Sequence, residues 1–253
     1  MTNCKILHLL SGAEEARGLT VIIDVFRAFS LECYLYDLGA ALVRPAGSIE
    51  EAKALHEKIP GSLLIGERHG IKVEGFDFGN SPSQVEAEKE KIEGKVIIHT
   101  TSAGTQGIVN ASGATEILTG SLVNARAVAE YIRSRALETQ DQVGSQKDLE
   151  VSLVAMGLSA KREAAEDELC AEYIKSLVEE NKIPPAFEER RQDLKNHDGK
   201  RFFDSDLQEH FPEKDYYMCI RQDLFPFVLR IGKDDLGFFS EKTNIEKCFS
   251  KGI

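Results

Sequence analysis

Residues 95–120 read KVIIHTTSAGTQGIVNASGATEILTG. KVIIHT is a short, apolar, β-branched run, which predicts a strand. TTSAGT interrupts it with hydroxyls and a glycine, AGTQGIVNA opens a helix, and TEILTG is again apolar and of strand length. Strand, polar turn, helix and strand in so short a span point to a parallel arrangement, because parallel strands need a crossover between them.

The alternation extends both ways. Upstream, CKILHLL, LTVIID, ALVRP and SLLIG read as strands. VFRAFSLECYLYDLG, SIEEAKALHEK and PSQVEAEKEK read as helices; Ser48 with Glu51 forms a capping box, and Pro82 takes a first-turn position. Downstream, LVNARAVAEYIRSRA is a helix, ETQDQVGSQKD a polar surface loop, LEVSLVAMG a long central strand and KREAAEDELCAEYIKSLVEE the longest helix. After NKIPP the pattern degrades, leaving a helix near FEERRQDL, a polar turn at Asp198–Gly199 and apolar FPFVLRIG. The expectation is one α/β domain over residues 1–253, a three-layer α/β/α fold with a mainly parallel sheet, least legible from about residue 184 onward.

Composition narrows the function. The net charge of −11 sets the surface against phosphate backbones and argues against nucleic acid as a partner, while a local pocket can still take a small anion. No apolar run approaches the roughly 20 residues of a membrane helix, and MTNCKILHLL lacks the basic lead of a signal peptide, so no membrane role is expected. The five cysteines have neither zinc nor redox spacing, which suits a reduced cytoplasmic protein with idle thiols. The apolar YYMCIRQDLFPFVLRIG makes a homo-oligomer plausible, though it also reads as core.

In a parallel sheet, ligands bind beyond the carboxyl ends of the strands. Four polar clusters fall there: Asp24 with Arg27, Glu67 through Asn80, Thr100–Thr105, and the turn leading to Glu166 and Asp167. Acids without clustered histidines or cysteines suit a hard dication, Mg²⁺ first. Glycines and the SAGT turn at a helix start suit an anion. Each feature also has a plain structural reading: Asp24 as a helix cap, Asn80-Ser81-Pro82 as a helix start, Glu166 and Asp167 as first-turn acids serving the helix dipole. Arg68-His69-Gly70 matches the tripeptide of histidine phosphatases, but after several βα units rather than after the first strand.

VIIDVFRAFS (21–30), GERHGIKVEGFDFGNSP (66–82), TTSAGT (100–105), GSLVNARAVA (120–129) and EDELCA (166–171) together resemble the 2-phosphosulfolactate phosphatases of coenzyme M biosynthesis and their bacterial homologues. The resemblance covers about the first two-thirds of the chain. It implies a cytoplasmic, Mg²⁺-dependent α/β/α enzyme that hydrolyses 2-phospho-3-sulfolactate to 3-sulfolactate and phosphate. Carried over, Asp24, Glu166 and Asp167 would hold the metal. Asp24, Arg27, Glu67 and Asp77 would be catalytic, with Glu67 or Asp77 orienting water. Arg68, Lys72, Asn80, Ser81, Gly104 and Thr105 would bind substrate. Ala103 and Gln106 stand where the family usually has Asn and Arg. Those departures favour, as the alternative, a homologue that binds a small phosphate or sulfonate without turnover, or that takes another substrate.

Overall fold

The computed structural model describes residues 2–143 and 149–245. The chain runs β1 (Asn3–His8), α1 (Leu9–Glu15), β2 (Gly18–Ile23), α2 (Ala28–Asp37), β3 (Leu42–Pro45), α3 (Ile49–Lys58), β4 (Leu63–Arg68) and β5 (Ile71–Lys72). It continues with α4 (Pro82–Ala87), β6 (Val96–Thr100), α5 (Gly104–Asn110), β7 (Ala114–Gly120), α6 (Ala125–Val143) and β8 (Glu150–Ala155). Last come α7 (Ala165–Glu179), α8 (Phe187–Asp193), α9 (Glu213–Cys219), β9 (Phe227–Asp234) and β10 (Gly237–Asn244).

The strands form one mostly parallel α/β sheet in the order β1-β8-β2-β7-β9-β10-β3-β6-β4-β5, flanked by helices. Both faces of β2 are covered. Val21 and Ile23 pack with Val128, Ile132, Leu169 and Ile174 of α6 and α7, and Ile22 packs on the other side with Phe29, Ile108 and Met156. That is why the strand reads as an unbroken apolar run rather than an alternation.

The sheet consists of two parallel blocks. One holds β1, β8, β2 and β7; the other holds β3, β6 and β4. The β9–β10 hairpin sits between them, antiparallel to β7 on one side and to β3 on the other. Following the pairings, the second block runs opposite to the first. A twist of about 20–25° per strand, however, turns the sheet through roughly 100–125° over the five steps from β2 to β6. This swings the carboxyl ends of β4 and β6 toward those of β2 and β8, and residues after all four strands line one cavity.

The segment 95–120 is the bridge between the blocks. β6 pairs with β3 and β4, whereas β7 pairs with β2. The two strands flanking α5 are therefore not neighbours, and α5 crosses the cleft. Its close approach depends on two glycines. A Cβ on Gly104 would lie 2.9 Å from Asp24 Oδ2, and one on Gly107 2.5 Å from Ile22 Cγ2.

The sequence reading needs five corrections here. LHLL does not continue the first strand: the chain turns at Leu9 (φ 63°) and forms α1. The PSQVEAEKEK helix ends at Ala87 and gives way to a short 3-10 turn, Lys89–Lys91. α6 runs on to Val143 through what reads as loop, whose remaining residues, 144–148, lie outside the described ones. β8 lies between β1 and β2, near the edge rather than the centre. The turn at Asp198 is a 3-10 segment, Asp198–Phe203, that buries Gly199 and Phe202, and the chain's last third supplies β9 and β10 to the middle of the sheet. Cys4, Cys33, Cys170 and Cys219 are free and buried; Cys248 lies outside the described residues. Among the described residues no helix is long and apolar enough to cross a membrane.

Candidate active site

The cavity at the converged strand ends has a volume of about 330 Å³. One wall is acidic. Asp24 follows β2, is 6% exposed, and its Oδ1 accepts the Ala28 amide at 3.1 Å. It therefore caps α2 and faces the cavity at once. Burial pushes its carboxyl up to about 6; hydrogen bonds from the Ala28 and Gly104 amides oppose that, and Glu67 adds to it. Asp167, in the first turn of α7, accepts the Val25 amide at 2.7 Å and the Gly157 amide at 2.8 Å, tying the loop after β2 to the loop after β8. Burial, then Asp24 and Glu166, hold its carboxyl well above the usual range. Burial pushes Glu166 up to about 7, and its Oε2 is buried with no hydrogen-bond partner.

Glu67 closes the cavity on the side of the second block. Its Oε1 accepts the Ser102 amide at 2.6 Å, and its Oε2 accepts the Gly70 amide at 2.5 Å and the Ser102 hydroxyl at 3.2 Å. The loops after β4 and β6 are thus held by one carboxylate. His69 lines the cavity beside them, with its own amide donating to Ser102 Oγ.

The same cavity has a cationic and aromatic wall. Arg27 is buried; its Nη1 donates to Asp215 Oδ2 at 2.7 Å and its Nη2 to the Gly70 carbonyl at 3.3 Å. Asp215, fully buried, also accepts the Ser81 hydroxyl and the Ser83 amide. Arg201 lines the same cavity, donates through Nη2 to the Phe26 carbonyl at 3.3 Å, and has a buried Nε without a partner. Both guanidinium carbons lie over the same rings, Phe202 and Phe211, at 4.7–5.6 Å. Burial penalises the Arg201 charge and Glu166 supports it. A bound anion would do the same.

The sequence-derived residues divide. Asp24, Arg27, Glu67, Asn80, Glu166 and Asp167 line the cavity. Gly104 stands behind Asp24. Ser81 and Thr105 are buried in the framework: Ser81 on Asp215, Thr105 in an exchange with Thr101. Arg68 reaches Thr100 and the Glu67 carbonyl beside a neighbouring hollow. Lys72 and Asp77 are not brought to the site. Lys72 is exposed on β5, and Asp77 is exposed with its Oδ2 accepting the Leu64 amide at the far end of β4. Gln106 donates to the Gly47 carbonyl outside the cavity, and Ala103 lines it. Arg201, Asp215, Phe202 and Phe211 escape the sequence reading. Their stretches, GKRFF and EKDYY, carry no periodic signal and lie far along the chain.

The donor set suits a hard cation. Asp24 and Glu166 are buried carboxylates that resist ionisation in the absence of a positive partner, and Glu166 Oε2 is unpaired. Among the described residues, the ligand-type groups gathered within 4.8 Å of one another are instead His8, Glu163 and Glu168, near the start of α7. The acidic wall is more widely spaced. A cation held there would complete its shell with water or substrate oxygens, as Mg²⁺ commonly does.

Comparison with known proteins bears on this cavity. The family described as "2-phosphosulpholactate phosphatase" matches residues 4–234. Proteins named "Probable 2-phosphosulfolactate phosphatase" are similar over most of both chains. The one from Caldicellulosiruptor saccharolyticus is 35% identical, covering 82% of this chain and 86% of its own. That from Thermotoga petrophila is 34% identical over the same shares. That from Bacillus subtilis is 26% identical, covering 90% and 91%. With the family matching nearly from end to end, and the four strand-end clusters meeting in one cavity as its motifs imply, this chain belongs to the 2-phosphosulfolactate phosphatase family.

Proposed function

We propose that the protein is a Mg²⁺-dependent phosphoric monoester hydrolase acting on 2-phospho-3-sulfolactate and releasing 3-sulfolactate and phosphate. The observation that carries this reading is the division of one cavity into an acidic wall with an unpaired Glu166 oxygen and an arginine wall with an unpaired Arg201 nitrogen. A polyanionic ester bound with a cation satisfies both. The names of the relatives supply the ester.

Asp24 and Glu166 would hold the metal, with Asp167 fixing the two loops that present them. When bound, Mg²⁺ supplies charge neutralisation at the phosphoryl oxygens and a more acidic water. Arg27, kept in place by Asp215, and Arg201 would receive the substrate's anionic groups and stabilise charge that develops during transfer. Glu67 has three donors on its oxygens, so its contribution is to hold the loops around the cavity and orient water at its edge. The four buried, free thiols support a reducing, cytoplasmic setting.

The test is phosphate release from phosphosulfolactate and a panel of small phosphate esters, with Mg²⁺ or with EDTA. The expected result is turnover that depends on metal and is highest for the sulfonated ester. Unchanged turnover in EDTA would overturn the metal assignment. Phosphate binding without any turnover would select the non-catalytic alternative, which the Ala103 and Gln106 departures favour.

A further inference from the structure

Behind the Asn80 edge of the cavity lies a polar chain that none of the foregoing uses. His99, on β6, is fully buried. Its Nδ1 is 3.0 Å from Oε1 of Glu32, a fully buried acid of α2, and its Nε2 is 3.1 Å from Oδ1 of Asn80. An amide oxygen only accepts, so in this arrangement Nε2 carries a proton and donates to Asn80, while the Glu32 carboxyl holds Nδ1 by accepting its proton or by donating one to it. Glu32 Oε2 is buried without a partner. Of the three side chains, only Asn80 reaches the cavity.

Stability alone does not account for this chain. A buried acid–imidazole pair offers little net stability over apolar side chains of similar volume, and an unpaired carboxyl oxygen adds cost. What the arrangement does decide is the polarity of the Asn80 amide. With its oxygen taken by His99 Nε2–H, the amide has only its NH₂ group left to turn to the cavity. Were the ring neutral, with its one proton on Nδ1 toward Glu32, Nε2 would accept. Asn80 would then turn its NH₂ inward and present an oxygen to the cavity, which an anion avoids.

We propose that Glu32 and His99 are positioning residues that act through Asn80, keeping an amide donor aimed at an anionic group of the substrate. This rests on reading the cavity as an anion site. The test therefore has an arm independent of that reading: ¹⁵N NMR of the imidazole rings in the full chain, beside calorimetry with inorganic phosphate. The expected results are a His99 ring with its Nε2 protonated in the native protein, and a ring without that proton in Glu32→Gln with phosphate affinity at least tenfold weaker and melting temperature not lowered. Asn80→Asp, which places an oxygen in the cavity whatever the ring does, should lose phosphate binding while remaining folded, and it decides the matter if Glu32→Gln does not fold. A native ring without a proton on Nε2, or phosphate affinity unchanged in either variant, overturns the proposal. No phosphate binding by the native chain while Nε2 is protonated overturns the anion-site reading, and with it the role assigned to Asn80.

Discussion

Glu166 and Asp24 share a wall that works against folding until something positive binds. Their carboxyls are raised from 4.5 to about 7 and from 3.8 to about 6, chiefly by burial. The folded state therefore holds these protons more tightly than the unfolded chain does, and stability falls as pH rises through that window. Each tenfold gain in proton affinity corresponds to about 1.4 kcal/mol, so Glu166 alone costs on the order of 3 kcal/mol at pH 8. In metal-free protein, thermal melting should show a higher midpoint at pH 5.5 than at pH 8. Glu166→Gln should raise the pH 8 midpoint by several degrees, flatten that dependence, and remove most of the stabilisation that Mg²⁺ gives the native chain. A midpoint in the variant equal to or below the native one at pH 8 would count against it. Arg201 is the counterpart on the other wall. Arg201→Met keeps an apolar side chain in place of the stem and removes the guanidinium that lies over Phe202 and Phe211 and carries the unpaired Nε. Steady-state kinetics should show KM for the phosphate ester rising on the order of 10- to 100-fold, the loss of a charged hydrogen bond, with melting temperature held. Equal KM would exclude Arg201 from substrate binding. Neither unpaired atom is legible in the sequence, since a residue's lack of a partner is a property of its neighbours in space.

At the scale of elements, α5 shows how far local pattern carries. KVIIHTTSAGTQGIVNA announces strand, turn and helix, and all three form where expected. What the pattern does not announce is that α5 leads to the other block. Gly107 tests that placement. In an exposed helix, Gly to Ala stabilises by about 1 kcal/mol. Here the added methyl would lie 2.5 Å from Ile22 Cγ2 and 2.6 Å from Met156 Sδ, and overpacking of a core costs about 1–3 kcal/mol. The steric term wins, so Gly107→Ala should lower unfolding free energy by about 1–2 kcal/mol in a urea titration. A stabilised variant would mean that α5 stands further from β2 than the structure has it. α1 was hidden for a related reason: LHLL is continuous in hydrophobicity, and only the turn at Leu9 separates strand from helix. α9 carries Asp215, the buried partner of Arg27, from a stretch in which the sequence pattern announces no helix.

For the molecule as a whole, the last third of the chain matters more than its weak pattern suggests. β9 and β10 join the two parallel blocks, and the same region supplies Arg201, Asp215 and the aromatic floor of the cavity. A chain ending at residue 183 would leave β7 without β9, β3 without β10 and Arg27 without its carboxylate, the last a loss worth about 3–5 kcal/mol by itself. It should show no cooperative melting transition by circular dichroism and should run as an aggregate in gel filtration. A truncated chain that melts cooperatively would show that the first block and its helices are self-sufficient.

The sequence by itself determined the alternation of strands and helices, the mainly parallel α/β class and the strand-end position of Asp24, Arg27, Glu67, Asn80, Glu166 and Asp167. These follow from local periodicity and from the rule that parallel strands present their carboxyl ends to ligands. Only the tertiary structure decided that two blocks of opposite sense share one cavity, that Lys72 and Asp77 stay outside it, and that Arg201 enters it while Asp215 backs Arg27. Those outcomes depend on accumulated twist and on pairings between residues more than a hundred positions apart, which no local pattern encodes.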